Sequence, residues 1–294
     1  MLARFATQTP LRFFTSSVLL SSLRPQYRAM STFKLDPAIF NSTLYKHIPE
    51  VWFPGMDLKG QGLDANVMRR WFQGTPEERL HFDGICRDAF EHALEAIGPE
   101  KFPEASAQPF LDEIENIAKK DQGGKGEDAA WTALSLTLLL DQMPRNIYRT
   151  DEGLRKVYTH YDRISFQLTS TLLSSSSPIP RPDTHPLFQQ SAAHRLWFYM
   201  PLMHSEDISA HNLVDDILEK YGNEIEALEG HEGSKMFLEG QLKAEKMHRE
   251  ILDRFGRYPH RNGALGRKST EEEEKFLDEG GATFGVGQTK KSTT

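Results

Sequence analysis

The segment Glu127–Leu140 constrains the fold most strongly, because its residues are apolar on almost every side of a helix. Such a helix has to lie in the interior of a protein, surrounded by other elements. In Pro76–Ile97 and Ser234–Phe255, apolar residues recur at three- and four-residue steps, and the alternation typical of strands is almost absent from the chain. The sequence therefore predicts an all-α fold in which antiparallel helical hairpins pack around a shared core.

The domain limits follow from changes in composition. Residues 35–284 carry the helical patterns and are predicted to form a single all-α domain. Two loop insertions are expected within it, one near residues 101–126 with a short helix at Pro109–Lys119, and one in the Ser- and Pro-rich residues 174–186. The Gly-containing residues 285–294 are predicted to be a disordered tail.

Residues 1–34 form a leader with a different composition from the rest of the chain. The leader contains five basic residues and no acid, together with many Ser and Thr residues and clusters of Leu and Phe. This composition is typical of a mitochondrial transit peptide, so we expect import into the mitochondrial matrix. Met30 offers a second start, from which a cytoplasmic form would be made. A disordered tail with an accidental bias in composition is the alternative.

Charge, hydropathy and cysteine content exclude several classes of protein. The net charge is −7, and no stripe of Lys and Arg interleaved with aromatic residues is present, so we expect no nucleic-acid partner. No run reaches the roughly 20 apolar residues that a membrane-spanning helix needs, so no membrane span is expected. The single cysteine, Cys86, excludes an internal disulfide and a cysteine-based zinc cluster.

Three segments place polar groups where helical patterns lead us to expect apolar residues, and burying such groups is costly unless they have partners. The first segment follows the apolar helix directly and contains Asp141, Gln142, Arg145 and Asn146. Pro144 predicts that the helix gives way to a turn at Met143. An Arg145 guanidinium oriented by Asp141 would suit a carboxylate or phosphate, and capping of a helix end is the alternative.

The second segment is Tyr199–Asp207, which contains one polar residue that helix capping does not explain. Ser205 is a natural N-cap, and acids suit the first turn that follows it. His204 has no such role. Histidine and carboxylate side chains occur together here, but the spacing of known metal motifs is missing, so no metal ligand is predicted.

The third segment, His248–Arg267, begins on the buried stripe of a helix, where His248 follows Gln241 and Ala244. Basic and imidazole groups crowd into this part of an acidic chain: Arg249, Arg254, Arg257, His260, Arg261 and Arg267, with Asn262 among them. An anion pocket, a solvated basic face and pairing with the acids of the other two segments are the alternatives. Only the pocket would bind phosphate or carboxylate ligands.

The three segments resemble a known family. They read DQMPRNIYR (Asp141–Arg149), FYMPLMHSED (Phe198–Asp207) and HREILDRFGRYPHRNGALGRKSTEEEEKFL (His248–Leu277), and VWFPG (Val51–Gly55) and RRWF (Arg69–Phe72) precede them. Strings similar to these occur, in this order, in the bacterial and fungal family called domain of unknown function 924. The resemblance implies a tetratricopeptide-like helical array and no established activity. The leader and the two insertions are similar to those of eukaryotic members, which implies a fungal protein.

The leading functional hypothesis is a helical protein whose polar pocket binds a small anionic molecule and acts on it. The candidate catalytic residues are His204 and His248 as acid or base, oriented by Asp141 and Glu206. The candidate ligand-binding residues are Gln142, Arg145, Asn146, Arg249, Arg254, His260, Arg261 and Asn262. No cofactor is predicted.

Two alternatives belong to other classes of protein. The first is an interaction scaffold of the helical-repeat type, which presents its surface to a peptide or protein partner. The second is a metal-dependent hydrolase built from His204, Glu206, Asp207 and His248.

Overall fold

The structure is a computed structural model that describes residues 33–59, 64–121 and 123–284, which belong to one compact unit. Every regular element in these ranges is helical, which confirms the predicted all-α fold. In chain order the helices are α1 (Ser42–Trp52), α2 (Ala65–Met68), α3 (Pro76–Ala96), α4 (Gln108–Lys120), α5 (Glu127–Ile147), α6 (Asp151–Lys156), α7 (Asp162–Leu172), α8 (Ala192–Met203), α9 (Ile208–Glu226), α10 (Glu232–Phe255), α11 (Asn262–Leu265) and α12 (Glu271–Asp278). None of these helices is long and apolar enough to cross a bilayer.

Some predictions lie outside the described residues. These are the expected leader, apart from its last two residues, the second start at Met30, and the expected tail at residues 285–294. Of the two expected insertions, the first contains α4, which confirms the short helix predicted there. The second contains one turn of 3-10 helix, Pro182–Thr184.

Helix α5 lies at the centre of the fold. Its residues from Ala129 to Leu140 are almost all buried, and α1, α3, α4, α7 and α8 pack around it. One polar contact joins it to α1, where the hydroxyl of Ser135 donates to the carbonyl of Tyr45 at 2.7 Å. The prediction of a helix enclosed by others is therefore confirmed.

Helix α5 does not end where the sequence predicts. It continues through Pro144 to Ile147, so the turn predicted at Met143 is wrong. A proline removes one hydrogen bond from the preceding turn and crowds that turn. Because Pro144 stands in the last turn of a long buried helix, the packing of the helix outweighs this local cost.

The continuation of α5 puts three polar side chains on one helix face. Gln142, Arg145 and Asn146 lie at steps of three and four residues. The side chains of Arg145 and Asn146 donate to backbone carbonyls one turn earlier, those of Asp141 at 2.7 Å and Gln142 at 3.0 Å. These bonds hold the two side chains along the surface of the last turns of the helix.

The chain after α10 is held by buried polar contacts. Helix α12 begins with a capping box in which the Thr270 hydroxyl accepts from the Glu273 amide at 3.2 Å, while the Glu273 carboxylate accepts from the Thr270 amide at 2.8 Å. The same carboxylate accepts from Arg257 at 2.6 and 2.8 Å and from the Asn262 amide at 3.2 Å. Glu273 therefore holds residues 256–270, the segment that follows α10 and returns toward it.

Candidate functional site

A cavity of about 700 Å³ lies among α5, α8 and α10. Two π-helical turns contribute to its lining, Arg69–Gln73 after α2 and Val157–Tyr161 after α6, together with residues 258–261. Turns of this kind are rare and occur frequently at functional sites. The volume lies in the range of small-molecule sites, which makes the cavity the candidate site.

Side chains from all three polar segments meet at this cavity. Seven of the predicted site residues line it: Gln142, Arg145, Asn146, His204, His248, His260 and Arg261. The described lining contains five arginines and three histidines but no carboxylate. The candidate site is therefore rich in positive and imidazole groups.

Asp141 lies behind the lining and fixes the orientation of His204. Its Oδ1 accepts a hydrogen bond from His204 Nδ1 at 2.9 Å, and its Oδ2 accepts one from the Gln142 amide at 2.6 Å. Burial alone would raise the pKa of Asp141, but the charge of Arg145 and the contact with His204 lower it below its ordinary value. With Nδ1 used in this bond, Nε2 is the nitrogen of His204 that remains to accept a proton.

The three cavity histidines have lowered pKa values, and burial is the main cause. The pKa falls to about 3 for His248 and for His260. His248 donates from Nδ1 to the carbonyl of Ala244 at 2.8 Å, and its ring stacks on Phe284 with centroids 3.8 Å apart. The rings of His204 and His248 lie 6.4 Å apart. The cavity therefore contains imidazoles that are neutral near pH 7.

Arg145 has a carboxylate partner within the protein. Its two terminal nitrogens donate to the two oxygens of Asp162 at 2.7 and 2.9 Å. This bidentate contact uses the same planar fork that a carboxylate or phosphate ligand would need. The arrangement joins α5 to α7 and leaves Arg145 less available to a ligand than its sequence position suggests.

Arg261 is stacked between two tyrosine rings. Its guanidinium carbon lies 4.7 Å from the ring centroid of Tyr158 and 4.7 Å from that of Tyr258. One terminal nitrogen donates to the backbone carbonyl of His204 at 2.7 Å. The two rings and this bond hold the guanidinium in one orientation at the cavity.

Several polar atoms of lining residues are buried without a hydrogen-bond partner among the described residues. They are Nε1 of Trp52, the Tyr158 hydroxyl, both amide atoms of Gln241, Nδ1 of His260 and Nε of Arg261. An atom of this kind costs about 1–3 kcal/mol unless a partner satisfies it. Native proteins contain few such atoms, and six of the eleven found among the described residues belong to the lining of this cavity.

Sequence reasoning missed Tyr158 and Gln241 as site residues. Gln241 lies on the buried stripe of α10 with Phe237, Ala244 and His248, and an amide on such a stripe is the signal that could have found it. Tyr158 lies in a π-helical turn, and the ordinary helical period of the sequence does not indicate such a turn.

Glu206 holds the segment after α10, whereas the sequence analysis expected it to orient a histidine. Its carboxylate accepts two bonds from Arg267 at 2.7 and 2.9 Å and one from the Tyr258 amide at 2.9 Å. Burial alone would raise the pKa of Glu206, but these donors lower it below its ordinary value. Glu206 therefore acts on the cavity indirectly, by positioning the residues next to Tyr258.

Replacing Glu206 with Gln is expected to loosen residues 256–270. The amide keeps the size of the side chain but loses the charge-assisted contact with Arg267, which costs about 1–3 kcal/mol of unfolding free energy. Urea denaturation measures this loss, and limited proteolysis shows whether the segment opens first. Glu272→Gln is the matched control, because it removes only the exposed contact with Arg254. Equal effects of the two substitutions would contradict the anchoring role of Glu206.

Three other predicted residues lie outside the described lining. Arg249 donates to Asp215 at 2.7 Å and so joins α10 to α9. Arg254 is 48% exposed and contacts Glu272 at 2.8 Å. Asn262 is buried and belongs to the contacts that hold the returning segment. These residues support the fold around the cavity without bordering it.

The four residues of the metal-dependent hydrolase alternative do not converge. Asp207 caps α9 by accepting from the Ser209 amide at 2.9 Å, and Glu206 is held by Arg267. Across the part of the chain that the structure describes, no group of three or more His, Cys, Asp or Glu side chains could hold a metal ion. This alternative therefore lacks a set of ligands in the described residues.

Comparisons with known proteins give a family and a fold but no activity. Residues 48–281 match the family model described as "Bacterial protein of unknown function (DUF924)". A solved structure of a protein of unknown function from Agrobacterium tumefaciens is 28% identical, covers 83% of this chain and all of its own, and has a TM-score of 0.51. A search of the curated proteins finds no match.

Proposed function

The chain belongs to the DUF924 family of bacterial proteins of unknown function, and we propose that its cavity binds a small anionic molecule next to a histidine that can act as a base. The observation that carries the proposal is the described lining, which has five arginines, three histidines and no carboxylate. Two of the arginines, Arg145 and Arg149, pair with Asp162 and Asp83 outside the lining. In a protein whose net charge is −7, such a lining attracts an anion to one place.

Arg261 is the residue that we propose holds the anion. Its position between two tyrosine rings is fixed, and its Nε is buried without a partner among the described residues. A guanidinium fixed in this way loses little conformational entropy when it binds an anion. Arg145 is less suited to bind an anion, because its two terminal nitrogens already donate to Asp162.

His204 is the residue that we propose acts as the base. Asp141 holds its Nδ1, so Nε2 is free to act as a base, and the lowered pKa keeps the ring neutral near pH 7. The carboxylate of Asp141 would also stabilise the imidazolium that forms on proton transfer. His248 is the less accessible base, because it is only 4% exposed and its ring is covered by Phe284.

Replacing Arg261 with Met is expected to weaken anion binding about ten- to a hundred-fold, because a charge-assisted hydrogen bond contributes about 1.5–3 kcal/mol. Methionine keeps an unbranched side chain between the two tyrosine rings, which limits the effect on folding. Isothermal titration calorimetry with inorganic phosphate and hexanoate as probes measures the change.

The matched control is Arg254→Met. Arg254 also lies over two aromatic rings, Phe255 at 4.6 Å and Phe276 at 5.7 Å. Its replacement removes the contact with Glu272, as replacement of Arg261 removes a contact with Asp162 at 3.9 Å. Arg254 does not border the cavity, so its replacement should leave binding unchanged. Equal binding by both variants, or binding of neither probe to the unmodified protein, would contradict the proposed site.

A further inference from the structure

We propose that the ligand is an amphipathic carboxylate with an unbranched hydrocarbon chain of about ten carbons. The inference rests on the proposed anion site and adds a second part to it. The carboxylate lies at Arg261 and His204, and the chain lies along the apolar half of the same cavity.

Aromatic and methionine side chains form this apolar half. The ring centroid of Trp71 lies 6.1 Å from that of Trp52 and 6.2 Å from that of Phe237, and Phe72 lies 6.4 Å from Phe237. Phe72 is 45% exposed and Met236 is 63% exposed. Large apolar side chains that border a cavity and remain exposed indicate an apolar ligand, and methionine adapts to a flexible one.

Two helices place the apolar half at a distance from the histidines. On α10, Phe237 and His248 border the cavity eleven residues apart, which is a rise of about 16 Å along the helix. On α8 and its C-cap, Leu196 and His204 border it eight residues apart, which is a rise of about 12 Å. On both helices the apolar residue comes first, and the two imidazole rings lie 6.4 Å apart. The cavity therefore has one end with the histidines and another with the aromatic rings. Arg70, next to Trp71 in the chain, and Arg79 also border the cavity.

The separation of the two ends sets the length of the chain. A zigzag of about ten carbon–carbon bonds, each about 1.5 Å long, spans about 12 Å. An acid of this length would place its carboxylate against Arg261 and its last carbons against the aromatic rings. A short acid would occupy only the end with the histidines, and an uncharged molecule would leave the arginine with Asp162, 3.9 Å away, as its carboxylate partner.

The experiment is calorimetric titration of the full chain with butanoate, hexanoate, octanoate, decanoate and decanol. We expect affinity to rise about three- to four-fold per methylene up to decanoate, because each buried methylene adds a fixed free energy. Decanol is expected to bind at least about tenfold more weakly than decanoate, because it lacks the charge that pairs with Arg261.

Phe72→Ser separates the apolar half from the anion site. It is expected to weaken decanoate binding about tenfold and to leave butanoate binding unchanged. Leu80→Ser is the matched control, because Leu80 is 70% exposed and lies outside the described lining. An effect of Phe72→Ser no larger than that of Leu80→Ser would overturn the inference.

The outcomes distinguish this inference from the function on which it rests. Equal affinity along the acid series, with binding still weakened by Arg261→Met, would overturn the chain-length inference and leave the anion site standing. Decanol that binds as tightly as decanoate would overturn the assignment of a carboxylate head group. Failure of every acid to bind would overturn both proposals.

Discussion

Lowering the pH from about 8 to about 5 is expected to remove several kcal/mol of unfolding free energy, because the fold buries imidazoles that do not take up protons. Burial lowers the pKa to about 3 for His248 and His260, and to about 4 for His194. In the unfolded chain these rings take up protons near their ordinary pKa of about 6.5. The stabilisation that comes from burying these neutral rings is therefore complete above about pH 6.5. It is lost as the pH falls from there toward the pKa values of the folded state.

The size of the effect follows from the gap between the folded and unfolded pKa values. Relative to pH 8, each of the three histidines lowers the free energy of unfolding at pH 5 by about 2 kcal/mol, or about 6 kcal/mol together. Domains have about 5–15 kcal/mol of stability in total, so we expect acid unfolding well above the pKa of the carboxyl groups. Urea denaturation at a series of pH values measures the slope.

His194→Phe tests the cause of the slope. The phenyl ring can keep the stack on Phe53, whose centroid lies 4.2 Å from that of His194, while the titratable group is removed. About 2 kcal/mol of the pH dependence between pH 8 and pH 5 should disappear. Ser191→Ala is the matched control, because it removes the hydroxyl that lies 2.7 Å from Nδ1 of His194 and leaves the titratable ring in place. An unfolding free energy that is constant between pH 7 and pH 5 would contradict the explanation.

The fold could be predicted because burial leaves a periodic pattern in a helical sequence. The apolar residues on every side of Glu127–Leu140 place α5 in the core, as the structure confirms. The end of the same helix could not be predicted, because the local rule for Pro144 favours a turn at the preceding residue. Tertiary packing determines where α5 ends, and a local sequence pattern contains no information about that packing.

The partners of the polar residues were harder to predict than their positions. Polar residues on apolar faces identify Asp141, His204 and His248, which the structure brings close together. The residue type does not specify which charge each one meets. Glu206 contacts Arg267 although a histidine was expected, since any nearby cation can pair with a carboxylate and only the folded chain determines which one is near.

Replacing Asp141 with Asn is expected to lower the unfolding free energy by about 3 kcal/mol, because removing one partner from a buried ionic network leaves the others unpaired. Asp141 is 1% exposed and accepts from His204 at 2.9 Å and from Gln142 at 2.6 Å. An asparagine presents two N–H groups where the carboxylate presents only acceptors. Urea denaturation near pH 7 measures the loss.

The same substitution is expected to lower the pKa of His204 further, and this second effect distinguishes orientation of a base from a general loss of stability. The negative charge of Asp141 opposes the effects of burial and of Arg145 on that pKa, so its removal makes the imidazole a weaker base. Titration of the His204 ring by NMR measures the shift. Asp162→Asn is the control. It also removes a charge that raises the pKa of His204, but a weaker one with no hydrogen bond to that ring, so its shift is expected to be smaller. A His204 titration that is unchanged by Asp141→Asn would show that the carboxylate does not tune the base, whatever its effect on stability.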